Sequence, residues 1–481
     1  MRRLPAFGLM LALAGCATMD PYASDPIAGH LRRDDDVGYC ARLFADLDRQ
    51  VDRIDVRDAE APSVEGFPYL RVDRFSAALG ARAVDGARYS AWLKRLAELD
   101  DAGRETELAN AGLPADDLAR CRVLLTAADA GSSAQLRARA QVPDDYSTAL
   151  RAVGLYPLSK FAFAAGVRGW REETLLAFSV PLAQLPVRGQ LERYATSGPT
   201  PIVALPVPAD ALGVSILSRF DGNALLQRHA PVLEIDVAGD FDRPGTVNLD
   251  AADRPTVDPA VAVAYVRVAH ALLEGKPHLQ LVYTFFFTER PSRGPLDPLA
   301  GQLDGLVWRV TLGDDGTPLV YDTIHPCGCY HLFFPTDRVT PRPAEDSLDE
   351  GLFVPQPLAT PTPGQVVVLR IESGTHYLQR VWFERRSEVA TRYRLDDERR
   401  LTVLPRAAGG TRSAYGSDGL MAGSERGERY FFWPMGIESA GQLRQWGRHA
   451  TAFVGRRHFD DPLMLDAYFV LRPADDQRAA P

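Results

Sequence analysis

The sequence predicts an α+β protein, in which an N-terminal helical domain precedes an antiparallel β-rich domain of sandwich or barrel-like type. From residue 37 to about 180, apolar residues recur at helical spacing. From about 231 to 470 they alternate with polar residues, as in half-buried strands. A chain of 481 residues is long enough for two or three domains.

The helical domain is predicted over residues 37–180. In its first helix Cys40 shares an apolar stripe with Leu47, and Cys121 lies on a similar stripe with Leu125. Both cysteines therefore face the core of one domain, and the pattern predicts a Cys40–Cys121 disulfide. The alternative is two separate buried thiols. A later amphipathic helix is predicted near 160–178.

Residues 181–230 contain many prolines and small residues, and we expect a linker or an irregular layer there. The β-rich domain is predicted over 231–472, followed by a polar tail at 473–481. Its clearest features are the apolar strand Leu279–Phe287 and two hairpins. One hairpin turns at Asp314-Asp315-Gly316, and the other turns at Ser373-Gly374.

An unusual set of side chains occurs in the segment 325–331, which reads His-Pro-Cys-Gly-Cys-Tyr-His. His325, Cys327, Cys329 and His331 follow one another at two-residue intervals, so an extended strand would present all four on one face. Two thiolates and two imidazoles suit zinc or copper(I), with His376 as a further candidate ligand.

Three interpretations of this segment stay open. The first is a zinc or copper site, for which Pro326 and Gly328 would have to bend the chain so that the donors converge. The second is a Cys327–Cys329 disulfide with redox activity. The third is a tight turn with buried thiols and hydrogen-bonded histidines, which has only a structural role.

Carboxylates near aromatic residues suggest a second kind of site. Glu289, Asp304 and Asp322 could form an acid–base pair in a glycan-binding cleft if they converge. The alternative is a set of strand-end charges that are solvated or paired with Arg290 and Arg309. We favour this alternative, because sequence spacing alone does not set the separation of two carboxylates. The sequence contains neither a Gly-x-Ser-x-Gly nor a His-Glu-x-x-His motif, so serine hydrolases and zincins have no support.

The N-terminus consists of Met-Arg-Arg, a short apolar run from Leu4 to Ala14, and Leu-Ala-Gly-Cys ending at Cys16. The run is too short to span a bilayer but fits the apolar region of a signal peptide. The four last residues resemble the lipobox of bacterial lipoproteins. The resemblance implies that residues 1–15 are a signal peptide and that Cys16 is acylated, with residues 16–36 as lipidated cysteine and tether.

The same resemblance implies a place in the cell. Ala17, rather than aspartate, follows the acylated cysteine, which favours the outer membrane with the protein facing the periplasm. The expected partner is the lipid bilayer, bound through the acylated Cys16, and the sequence does not identify which proteins, if any, bind this chain. Cleavage would leave 52 basic and 63 acidic residues, a net charge of −11 that argues against nucleic acid as a partner.

Taken together, these features predict an envelope lipoprotein that binds a ligand without catalysis, with a metal or thiol centre at 325–331. An envelope hydrolase acting on glycan or peptidoglycan is the first alternative. A structural or assembly lipoprotein without a pocket is the second.

Overall fold

A computed structural model describes residues 27–196, 203, 205–343, 347–385 and 391–473. The predicted signal peptide, Cys16 and most of its tether lie outside these residues, as does almost all of the predicted polar tail. Within the described ranges, no helix is both long enough and apolar enough to cross a bilayer.

The helices concentrate in the first 180 residues, as predicted. They are α1 (Ile27–His30), α2 (Asp36–Ile54), α3 (Arg74–Gly80), α4 (Gly86–Ala111), α5 (Leu118–Ala128), α6 (Ser133–Arg139), α7 (Thr148–Val153), α8 (Tyr156–Ser179), α9 (Arg219–His229), α10 (Arg429–Phe432) and α11 (Met464–Tyr468). Aspartates begin three of them: the side chains of Asp35, Asp73 and Asp85 each accept a hydrogen bond from the backbone N–H three residues later. These bonds satisfy amides that have no partner inside the helix.

The helical domain is closed by the predicted disulfide. Cys40 on α2 and Cys121 on α5 are bonded to each other and fully buried, which confirms the prediction from their apolar stripes. Around them pack Phe44, Trp92 and Leu125 from three different helices. A short hairpin at 63–71, which the sequence pattern did not predict, completes this core.

The strands follow. They are β1 (Ser63–Val64), β2 (Phe67–Arg71), β3 (Gln190–Thr196), β4 (Val232–Val237), β5 (Thr246–Leu249), β6 (Pro255–Asp258), β7 (Val263–Leu273), β8 (Lys276–Arg290), β9 (Gly301–Leu312), β10 (Pro318–Ile324), β11 (Leu332–Pro335), β12 (Val339–Pro341), β13 (Gln365–Ile371), β14 (Leu378–Arg385), β15 (Thr391–Asp397), β16 (Leu404–Pro405), β17 (Thr411–Arg412) and β18 (Phe469–Leu471). Ten of them form one sheet in the order β11-β10-β9-β8-β7-β15-β3-β4-β13-β14.

This sheet confirms the α+β class and corrects the expected strand arrangement. Three neighbouring pairs, β7–β15, β15–β3 and β4–β13, are parallel, so the sheet is mixed rather than antiparallel. The two predicted hairpins are present as β9–β10 and β13–β14. The predicted apolar strand lies inside β8, between β7 and β9, and its residues 281–287 are all buried.

The segment 181–230 differs from the linker or irregular layer that its prolines predicted. Residues 190–196 form β3, which lies inside the sheet between β15 and β4, and residues 219–229 form α9. The Tyr283 hydroxyl donates a hydrogen bond to the carbonyl of Leu226 at 2.7 Å, which ties α9 to the sheet. This part of the chain therefore contributes to the core of the β-rich body.

Both faces of the sheet are covered, which explains why its central strands are apolar on both sides. On one face, Phe178 of α8 and Leu225 of α9 pack against Trp308 and Phe334. On the other face, Phe459 packs with Val307. Side chains on neighbouring positions of one strand therefore enter different environments.

We expect the double variant Cys40→Ala/Cys121→Ala to lower the free energy of unfolding by about 4 kcal/mol, because the disulfide closes a long loop in the unfolded chain. Urea denaturation monitored by circular dichroism measures the change. Reduced native protein should match the double variant, and a reducing agent should leave that variant unaffected. Equal stability of native and double-variant protein under oxidising conditions would contradict the expectation.

Candidate functional site

The segment 325–331 is the loop that joins β10 to β11. The His325 N–H donates to the Cys329 carbonyl at 3.0 Å, and the Gly328 N–H donates to the His325 carbonyl at 2.8 Å. Gly328 and Tyr330 both have positive φ, 92° and 62°. The segment is therefore a tight turn, as the third interpretation has it, and not an extended strand that would present four donors on one face.

Packing against a distant part of the chain fixes this turn. A Cβ atom at Gly328 would lie 2.2 Å from the Ala450 carbonyl oxygen, so only glycine fits both the φ angle and the space. Within the turn the Cys329 N–H donates to the Cys327 sulfur at 3.4 Å. Both cysteines are free thiols, so the structure does not contain the Cys327–Cys329 disulfide considered as an alternative.

The two histidines that flank the turn bind different carboxylates. His331 Nε2 lies 2.9 Å from an oxygen of Asp322, whereas His325 Nδ1 lies 3.5 Å from an oxygen of Asp304. Asp304 shares a sheet face with Trp308, and Asp322 pairs across the strands with Arg309 on the opposite face. The two imidazoles are thus held apart.

The five predicted metal ligands do not converge. His376 binds Asp304 and, on its other side, the Phe241 carbonyl, so neither of its nitrogens is available. In the described parts of the chain, no three His, Cys, Asp or Glu side chains are grouped so that they could hold a metal ion. The residues therefore do not fit the zinc or copper site that their spacing suggested.

Asp304 and His376 belong to a buried network on the first sheet face. His376 Nδ1 lies 2.7 Å from Asp304, its Nε2 lies 3.4 Å from Asp242, and its ring stacks on Phe287 with centroids 4.0 Å apart. Burial opposes the charge on Asp304, but the hydrogen bonds from His325 and His376 outweigh it and hold the pKa of Asp304 well below its usual value. Asp304 is therefore an ionised carboxylate that orients two imidazoles.

Asp322 is held in a similar way by a guanidinium group. Arg309 Nε and Nη2 reach its two oxygens at 2.9 and 2.5 Å, and the guanidinium lies 3.7 Å from the centroid of the Phe459 ring. Burial alone would raise the pKa of Asp322, but Arg309 and His331 lower it overall. This geometry is that of a structural ion pair.

The predicted carboxylates do not line either of the cavities described below. The register of β8 and β9 makes Glu289 and Asp304 diagonal neighbours on one face, with Cα atoms roughly 7–8 Å apart. Asp322 points to the other face. The three carboxylates do not line one cleft, so the sequence-based argument for a glycan-cleaving acid–base pair fails for Asp322.

A cavity of about 500 Å³, which we call the main cavity, lies between α8 and the turn. Its walls are mostly aromatic and small apolar side chains; they include Ala162, Phe163, Gly166, Val167, Trp170, Tyr330, Phe432, Ile437, Ala440, Gly441, Ala450, Ala452 and Phe453. Cys327 and Cys329 lie in the same wall. Volume and lining are those of a typical site for a small apolar ligand.

A second cavity of about 390 Å³ adjoins the first. Trp170, Tyr330 and Tyr377 line both, so these three rings form a shared wall. His325 and Thr323 line only the second cavity. The segment 325–331 therefore contributes its two thiols and the His331 imidazole to the main cavity, and the His325 imidazole to the second cavity.

Glu428 is one of the two carboxyl groups, with Glu350, that line the main cavity. Burial in this apolar wall raises its pKa to about 7, although Arg290 and Arg426 act in the opposite direction. The hydrogen bond with Cys327, together with burial, raises the pKa of Cys329 well above its usual value. At neutral pH Cys329 is therefore protonated, which makes it a poor nucleophile and a poor metal ligand.

Sequence reasoning missed most of this site. Phe163, Val167 and Trp170 follow helical spacing, which predicts a helix face but not a cavity beneath it. Glu428 lies in a glycine-rich stretch without a recognisable motif. Comparisons with protein-family models, curated proteins and solved structures find no match for this chain.

We expect Glu428→Gln to stabilise the protein at pH 8 but not at pH 4.5. Between the ordinary pKa of 4.5 and the raised value of about 7, the unfolded state loses this proton while the folded state keeps it, so stability falls as pH rises. Removing the charge should add about 2 to 3 kcal/mol at pH 8. Urea denaturation at both pH values measures this change in the free energy of unfolding. Glu65→Gln, at an exposed position, is the control. An equal effect of Glu428→Gln at the two pH values would refute the assignment.

Proposed function

We propose that this protein is a lipid-anchored envelope protein whose main cavity binds an apolar molecule with a long hydrocarbon portion. The observation that carries the proposal is the main cavity itself, with its aromatic and small apolar walls. The second cavity supports an elongated ligand, because it continues past the shared wall of Trp170, Tyr330 and Tyr377.

The polar groups in the wall favour a ligand that carries an oxygen-rich end. Arg171 lines the main cavity, and its Nε is buried without a hydrogen-bond partner among the described residues. A ligand oxygen would satisfy this donor. Arg457 and Glu350 lie in the same wall. Glu350 Oε1 accepts hydrogen bonds from the Phe453 and Val454 N–H groups, so the Arg171 donor is left for a carboxylate or ester oxygen of the ligand. Fatty acids and related acyl lipids combine both properties.

The place of action follows from the N-terminal resemblance. Acylation of Cys16 would tether the chain to the outer membrane, facing the periplasm, with the bilayer as its partner. Two features agree with this compartment: the Cys40–Cys121 disulfide suits an oxidising space, and the acidic composition disfavours nucleic acid. A tethered protein of this kind would hold its ligand close to the membrane.

We expect Gly166→Phe to weaken the binding of a fluorescent fatty acid at least tenfold, because a phenyl ring at this position occupies the main cavity. A Cβ atom at Gly166 meets nothing within 4 Å, so the backbone need not move. Gly169→Phe is the matched control: it lies on the same helix, also in open space, and does not line the cavity.

Mass spectrometry of protein extracted from membranes completes this experiment. Native spectra should show a co-purifying apolar molecule, which Gly166→Phe loses, and denaturing spectra should show the acyl groups on Cys16. Equal fatty-acid affinity of the two phenylalanine variants would refute the ligand site. An unmodified Cys16 would refute the anchor and leave the ligand site in place.

A second candidate function is hydrolysis of an ester bond in the bound ligand. His325 lines the second cavity, Asp304 lies beside its Nδ1, and its Nε2 has no hydrogen-bond partner in the described part of the chain. Burial lowers the pKa of His325, so its ring is neutral and Nε2 can accept a proton. Water would attack the carbonyl carbon, give its proton to Nε2, and the departing alkoxide would then take that proton.

If this second function holds, His325→Ala should lower the hydrolysis of p-nitrophenyl acyl esters by about 100-fold or more. His278→Ala is the control, because His278 is also buried but binds the Leu312 carbonyl and lines neither cavity. Wild-type protein that hydrolyses these esters no faster than buffer, or equal losses in the two variants, would exclude the hydrolase.

A further inference from the structure

Helix α8 is poorly buried for its length. Of its 24 residues only Ala164 and Phe178 are fully buried. Leu158 and Phe161, in its N-terminal half, are 70% and 55% exposed. A surface helix in water normally carries polar residues on its outer face, so this half of α8 departs from the usual pattern.

The inner face of the N-terminal half of α8 lines the main cavity. Phe163 and Val167 line the main cavity, whereas Leu158 and Phe161 point away from it. The N-terminal half of α8 is thus apolar on both faces: one towards the cavity, the other towards the surroundings. An exposed apolar surface of this kind marks an interaction site.

A second exposed apolar element lies beside α8. The ring of Phe432, at the end of α10, lies 5.6 Å from the ring of Phe163, which brings α10 next to α8. The two residues before it, Tyr430 and Phe431, are mostly exposed. Aromatic side chains of this type are favoured at the boundary between lipid headgroups and acyl chains. We call residues 155–168 together with Tyr430 and Phe431 the docking patch.

The charge of the docking patch is opposite to that of the whole chain. Between 155 and 168 the only charged residues are Lys160 and Arg168, and Arg429 begins α10. The protein as a whole carries a net charge of −9. In a two-fold symmetric dimer built on this patch, the positive charges of one copy would face those of the other, which disfavours that contact. An anionic lipid surface complements both the charge and the apolar side chains.

We propose that the docking patch binds the surface of a bilayer that contains anionic lipid. Exposed Leu158, Phe161 and Phe431 enter the boundary between headgroups and acyl chains, while Lys160 and Arg168 contact the headgroups. This inference rests on the proposed function in one respect: the helix that docks is also a wall of the main cavity. Docking therefore brings the ligand site next to the source of acyl ligands.

The test uses the mature chain, residues 16–481, with Cys16→Ser so that no acyl group attaches it to membranes. Cosedimentation is measured with vesicles of phosphatidylcholine alone and of phosphatidylcholine mixed with phosphatidylglycerol. We expect binding to the mixed vesicles that weakens as salt is raised. Leu158→Ser/Phe161→Ser should reduce the partition coefficient at least about tenfold. Val84→Ser/Val123→Ser, at similarly exposed apolar positions in the helical domain, should leave it unchanged.

Two results would overturn the inference. One is equal partitioning of the two double-serine variants into mixed vesicles. The other is a dimer in sedimentation analysis that Leu158→Ser/Phe161→Ser abolishes, without vesicle binding by either protein. The fatty-acid assay needs no vesicles, so loss of ligand binding in Gly166→Phe with retained vesicle binding separates the two proposals. Failure of one proposal therefore does not refute the other.

Discussion

Side chains on β9 and β10 point alternately to the two faces of the sheet, and this alternation determines which buried polar groups can meet at the centre of the molecule. Because both faces of the sheet are covered, each position on these strands enters one of two separate cores. Asp304 enters the first and Asp322 the second. The turn between β10 and β11 then delivers His325 to one carboxylate and His331 to the other. A set of residues that looks like one site in the sequence is therefore divided by the sheet.

The pairing of the buried charges follows from this division of side chains between the two faces of the sheet. An isolated carboxylate in either core would cost several kcal/mol, so each one needs a partner on its own face. Asp322 finds Arg309 and His331, and Asp304 finds His325 and His376. These pairs occupy both carboxylates, and of the three imidazoles only His325 Nε2 and His331 Nδ1 lack a hydrogen-bond partner among the described residues. Glu428 differs, since burial outweighs the attraction of Arg290 and Arg426 and raises its pKa to about 7.

Local sequence features predicted the parts of the fold that depend on local contacts. The hairpins β9–β10 and β13–β14 turn at glycine-containing tight turns, and the disulfide joins two apolar stripes. The parallel pairs that bring β15 and β3 into the sheet join segments far apart in the chain, and no local pattern specifies them. The prolines around β3 pointed instead to a linker.

The candidate site also depends on long-range contacts that no local sequence pattern specifies. Gly328 and its neighbouring proline showed that the chain could bend, but the contact that requires the bend comes from Ala450, more than a hundred residues later. The helical spacing of Phe163 and Trp170 predicts a helix face, but a cavity also requires small side chains around that face. Here small residues, among them Gly166, Ala440 and Ala452, leave the space unfilled.

Such a cavity has a cost that links stability to ligand binding. Apolar side chains around an empty space lose the dispersion contacts that a filled core provides, and each larger residue at Gly166 or Ala440 would recover part of them. An apolar ligand recovers the same contacts and stabilises the folded state in proportion to its concentration and affinity. The C-terminal half of α8 is anchored through Phe178, while its N-terminal half covers the cavity. The ligand would therefore stabilise the N-terminal half of this helix, whose outer face is apolar.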